Sequence, residues 1–173
     1  MASNRHLGRI LALQSLYELD FRSEFPQSEL DVEEVLDRNV SRYDKTLDDK
    51  SFVRKLVYGV FDDTARLDAV LQPIAPEWPI EQIARIDKCI LRMALYELLD
   101  TDEAYAVPPK VVINEAVELA KAFGSDNSSK FVNGVLGTAY RNLVGADDKP
   151  AAAATATTKP DTPEEGTDEK ADD

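Results

Sequence analysis

The chain has 173 residues, 43% of them hydrophobic, with one cysteine and a formal net charge of −13. That is enough apolar chain for one domain with a core, and the lone Cys89 excludes an internal disulfide scaffold. The charge excludes a broad electrostatic grip on nucleic acid, so any such site must be a local patch assisted by shape, stacking or a partner.

The acidity is uneven. Nine acidic and three basic residues lie from Ala146 onward, so the tail contributes −6 and the body −7. Neither a secretory leader pattern nor a long apolar run occurs, which points to a cytoplasmic protein.

In chain order, residues 3 to about 22 read as a first helix with apolar side chains around most of its circumference, so it is expected to be largely buried. Its first turns carry Arg5, His6 and Arg9 and no acid. Arg5 and Arg9 repel mildly at i,i+4 and sit at the positive end of the helix dipole. Two readings of that arrangement remain open: an external anion such as phosphate, or carboxylates from elsewhere in the chain. Ser28 is placed to cap a second, thinner helix running to about Tyr43. A long helix from about Ser51 to Leu71 follows, with Gly59 marking a close approach.

Pro73, Pro76 and Pro79 then divide the chain into two helical halves. Trp78 between them reads as a packing anchor. A short helix at 80–84 precedes a central core helix from Asp87 to about Asp100, in which Arg92 and Glu97 are read as fold-stabilising charges and Cys89 as a small buried hydrophobe.

The stretch PPKVVINEAVELAKAFGSDNSSKFVNGVLGTAYR, from Pro108 to Arg141, reads as two helices broken by a polar loop. Gly124 stands where a left-handed terminating residue is expected. In the last helix Phe131, Val132, Val135, Leu136 and Ala139 share one side. Lys130, Gly134, Gly137 and Arg141 share the other, with Asn133 at its edge. An interior helical glycine costs about 1 kcal/mol relative to alanine. The two glycines either admit a neighbouring helix or leave a flat docking strip; spacing alone does not separate these. After Val144 the composition has no aromatic residue and few branched aliphatics, the signature of disorder. The expected architecture is therefore all-α, a single domain (1–145) of about seven helices in two packed halves, followed by a disordered acidic tail (146–173). No Walker A pattern, dinucleotide fingerprint, metal-ligand spacing or nucleophile–histidine pair occurs, so neither catalysis nor a cofactor nor a metal is expected.

The runs VVINEAVELAKAFG and KFVNGVLG, with IDKCILRMALYELL and ALQSLYELD upstream, closely resemble the NusB family of bacterial transcription antitermination factors, over about residues 5 to 144. The resemblance implies a non-enzymatic factor that binds the boxA element of ribosomal RNA leader transcripts. It implies a heterodimer with NusE, also a small-subunit ribosomal protein, acting with other Nus factors on RNA polymerase. It further implies backbone contacts from Arg5, His6 and Arg9, charge from Lys130, stacking at Phe131, base-edge groups at Asn133, and contacts from the 126–129 loop including Asn127. Tyr17 and Asp87 are the candidates for the partner surface. Leu7 and Gly8 interrupt the arginine run common in the family, which predicts weak RNA binding without NusE. Rival readings are a protein-interaction module without RNA binding and the NusB-like domain of a ribosomal RNA methyltransferase, the latter only if truncated, because the tail leaves no room for a catalytic domain. Monomer and homodimer both remain open.

Overall fold

The structure, a computed structural model, describes residues 2–143. The acidic tail and its expected boundary at 145 lie outside the described residues. Among those described there are seven α-helices and no strand: α1 (Ala2–Ser23), α2 (Val32–Ser41), α3 (Lys50–Asp62), α4 (Thr64–Ile74), α5 (Arg85–Leu99), α6 (Pro109–Phe123) and α7 (Ser128–Leu143), with a 3-10 turn at Ile80–Gln82. None is long and apolar enough to cross a membrane.

Seven helices were expected, but they are not the same seven. The long helix expected over 51–71 is two helices broken at Asp63. There the Thr64 hydroxyl donates to the Val60 carbonyl at 2.7 Å, a local bond that competes with the helical ladder. The break lets α4 pack on α5 and α7, so the halves divide at Asp63, before Pro73, which sits inside the last turn of α4. The short helix expected at 80–84 is the 3-10 turn. The cap of α2 is Asp31, whose carboxylate accepts from the Glu34 amide at 3.1 Å. Ser28 instead closes the turn after α1 by donating to the Arg22 and Phe25 carbonyls.

The core runs through both halves. Leu11, Leu13, Leu19, Leu36 and Leu56 are fully buried in the first, and Leu67, Leu71, Ile90, Leu91, Met93, Leu95 and Leu119 in the second. α1 packs on α2, α3 and α5; α5 packs on α6 and α7. Gly59 is required where it stands, because a Cβ there would overlap the Tyr96 ring. Gly124 is extended (φ −89°, ψ −170°), not left-handed, and glycine is needed because a Cβ would collide with the Ser128 side chain. α1 is less buried than its composition suggested, since Tyr17 and Phe21 remain substantially exposed.

An ionic clamp ties the halves together. Arg92, buried on α5, donates from Nε and Nη2 to the two Asp68 oxygens of α4, each at 2.7 Å, and from Nη1 to Asp20 of α1 at 2.8 Å. Arg85 adds a 2.9 Å bond to Asp20. Burial raises the Asp20 carboxyl's pKa, but bonds from Arg92 and Arg85 and the charge of Lys88 more than offset this and leave it lowered. Burial also pulls the Arg92 guanidinium down, and the two aspartates reverse that shift. Cys89 is packed in the same region, and burial pushes its thiol up to about 12, as a small core residue requires.

Candidate nucleic-acid interface

The sequence-predicted site residues fall into two separate groups. The first surrounds the start of α1. Arg9 is 3% exposed and donates to Glu97 of α5 through Nε at 3.0 Å and Nη2 at 2.7 Å. Its remaining nitrogen, Nη1, lies 3.8 Å from Glu115 of α6. His6 Nδ1 lies 2.6 Å from the same Glu115 oxygen. Arg5 and Arg9 both stack over the Phe52 ring of α3, at 5.0 and 5.2 Å from its centroid. Asp49, which caps α3, is held below the usual carboxylate range, first by the Ser51 hydroxyl and in smaller part by the Arg5 charge. Of the two readings of these basic residues, carboxylates within the chain account for the partners of Arg9 and His6. The buried Arg9 is a structural ion pair, and Glu97 serves the fold through Arg9, as its expected stabilising role required.

The second group gathers where the α6–α7 loop meets the start of α5. Trp78, Gln82, Ile83, Ala84, Asp87, Ser125, Asn127, Ser128 and Phe131 line an open cavity of about 290 Å³. Trp78 meets Phe131 edge-on, with ring centroids 6.5 Å apart. Trp78 is 51% exposed, so the expected anchor is half out of the protein and offers a stacking face. The loop is set by Ser128, whose buried hydroxyl accepts the Ser125 amide at 2.9 Å, leaving Asp126 and Asn127 exposed. On the other side of the aromatic pair, a cavity of about 320 Å³ is bordered by Lys130, Gly134 and Thr138 of α7. A Cβ at Gly134 would meet nothing within 4 Å, and one at Gly137 only an Arg141 nitrogen at 3.7 Å. No helix of the described chain packs on the glycine strip, which settles that half of its reading. Asn133 is exposed on α7 but borders neither cavity.

Tyr17 and Asp87 do not share a cavity. Tyr17 faces a depression of about 390 Å³ with Leu13, Gln14, Ile86 and Phe123, under the Arg85 guanidinium at 5.8 Å from its ring. Asp87, one residue beyond Ile86, lines the Trp78–Phe131 cavity and is 7% exposed; its buried Oδ1 has no hydrogen-bond partner among the described residues. Trp78, Glu97 and Glu115 border these two groups, although none of them reads from sequence as a site residue. For Trp78 the signal was its position between Pro76 and Pro79, which keeps the ring on a loop. For the glutamates there was none, because the contacts span 88 and 109 residues.

The NusB family model matches residues 6–141. The chain belongs to the NusB family. It is 47% identical over 138 residues to the transcription antitermination protein NusB of Chloroflexus aggregans, covering 80% of this chain and 87% of that one. Among solved structures, T. maritima NusB is 30% identical with a TM-score of 0.65, covering 77% of this chain and 87% of its own. A chain in a crystal structure of the antitermination factors NusB and NusE with double-stranded RNA shares the fold, at 24% identity and a TM-score of 0.69, covering 83% of this chain and 100% of its own. Within the NusB frame, every group described above falls inside the matched residues except Arg5, which directly precedes them.

Proposed function

We propose that this NusB-family chain is a cytoplasmic, non-enzymatic transcription antitermination factor. It binds the boxA element of ribosomal RNA leader transcripts together with NusE and suppresses premature termination in concert with other Nus factors on RNA polymerase. The observation that carries this reading is the match to the NusB family across residues 6–141. The chemistry of the α7 edge supports it. Single-stranded RNA is held by stacking, base-edge hydrogen bonds and phosphate neutralisation. The Trp78–Phe131 pair supplies rings, Asn127 and Asn133 supply amides, and Lys130 supplies charge. The open backbone at Gly134 and Gly137 gives the strand a close approach. Arg5 and His6 form the second, weaker contact region, in which Arg9 acts by positioning. The partner surface runs from Tyr17 toward Ile86 and the start of α5 at Asp87.

A protein-interaction module without RNA binding is the second reading, favoured by the carboxylates that hold Arg9 and His6. Transcription through a terminator placed behind a ribosomal RNA leader decides between them. Read-through that requires the chain, NusE and an intact boxA is the expected result; read-through insensitive to boxA scrambling favours the interaction module.

A further inference from the structure

Among the described residues, the amino-terminal basic groups stand beside carboxylates of the chain itself. Arg9 faces two of them, Glu97 and Glu115, and the Arg5 charge acts on the Asp49 carboxylate. Arg9 cannot turn to a ligand, because its Nε and Nη2 are both held by Glu97 in a buried fork. Glu115 differs from Glu97. Its side chain is 24% exposed, and one oxygen lies both 2.6 Å from His6 Nδ1 and 3.8 Å from Arg9 Nη1. His6 is itself 42% exposed at the side chain. An anion with oxygen acceptors approaching the exposed His6 ring, with the buried Arg9 charge behind it, therefore finds that position taken by a carboxylate of the chain itself.

We infer that Glu115 is an internal competitor for phosphate, setting the affinity of the α1 face for an RNA backbone by occupying the anion position between His6 and Arg9. This deepens the RNA-binding reading above and rests on it for the identity of the phosphate donor. The consequence is division of labour: the α1 face adds little to RNA binding until Glu115 yields, and the α7 edge and the partner carry the strand. Glu115 is a positioning and affinity-setting residue that does not itself touch the RNA.

The variant Glu115→Gln removes the charge and keeps the size and a polar contact to His6; Glu115→Ser is a second neutral variant. His6 is the only histidine of the chain, so its ring resonances report directly on the site. Inorganic phosphate is titrated against full-length wild type and both variants, with thermal unfolding as the check on folding. The expected result is a half-maximal shift of the His6 signals at about two- to fivefold lower phosphate in both variants, the range set by one exposed charge contact. In parallel, boxA and scrambled RNA of equal length bind each variant more tightly than wild type without NusE. The slope of log K against log salt steepens by about 0.7, the release expected for one further single-strand phosphate. Folded variants with no gain for phosphate make Glu115 a strut for Arg9 and overturn the inference. A gain for phosphate with boxA never exceeding the scramble, even with NusE, leaves the inference standing and overturns the RNA reading.

Discussion

Arg9 of α1 and Glu97 of α5 form a two-pronged ion pair, at 3.0 and 2.7 Å, whose side chains are only 4% and 7% exposed. Breaking a buried pair by removing one partner leaves an uncompensated charge and costs about 3–5 kcal/mol. Arg9→Ala is therefore expected to lower stability by about 3 kcal/mol in urea unfolding. The double variant Arg9→Met, Glu97→Leu is expected to recover most of that loss. A single variant with unchanged stability and impaired RNA binding would show that Arg9 serves the ligand after all.

Gly59 on α3 and Gly134 on α7 have opposite roles. Gly134 faces open space, so Gly134→Ala is expected to raise stability by about 0.5–1 kcal/mol. The same change narrows the strip on α7 and is expected to weaken boxA binding. Gly59→Ala must displace the Tyr96 ring and is expected to destabilise. Thermal unfolding with an RNA titration on each variant separates the packing glycine from the docking one.

Trp78 and Phe131 stand edge to face at the border of two cavities, and neither ring is part of the fully buried core. Removing a stacking ring costs about 1–3 kcal/mol per base. Trp78→Ala and Phe131→Ala are each expected to weaken boxA binding within that range, about 5- to 150-fold, with a smaller effect on unfolding. Trp78→Ala is the more decisive variant, since that residue reads from sequence as packing. Loss of stability without loss of affinity would return it to that role.

The Asp20–Arg92 contact makes stability depend on acid. The Asp20 pKa is lowered in the folded protein, so its contribution is fully present above the unfolded value of about 3.9. It is lost as pH falls through the folded value. Asp20→Asn is expected to flatten the fall of stability below about pH 4, while lowering stability at neutral pH. Unfolding midpoints measured from pH 3 to 7 check both signs.

Helix identity and the core were legible from apolar spacing, because burial of one helical face imposes that spacing on sequence. The break at Asp63 was not legible, since the 51–71 periodicity continues through it and only the Thr64 hydroxyl, bonded to the Val60 and Phe61 carbonyls, accompanies the turn. Gly59 is legible as a packing glycine, because an interior helical glycine needs a reason and the Tyr96 ring supplies it. The openness of Gly134 depended on which helices pack where. Arg5, His6 and Arg9 were visible as a cluster, but their carboxylate partners lie on α5 and α6, and no local pattern connects residues 88 and 109 apart.

The most direct test is a fluorescence-anisotropy titration of boxA RNA and an equal-length scramble, with and without NusE, at two salt concentrations. Weak, poorly selective binding by the chain alone is expected, with a clear preference for boxA once NusE is present, weakening as salt rises. NusE binding with boxA no better than the scramble would contradict this expectation.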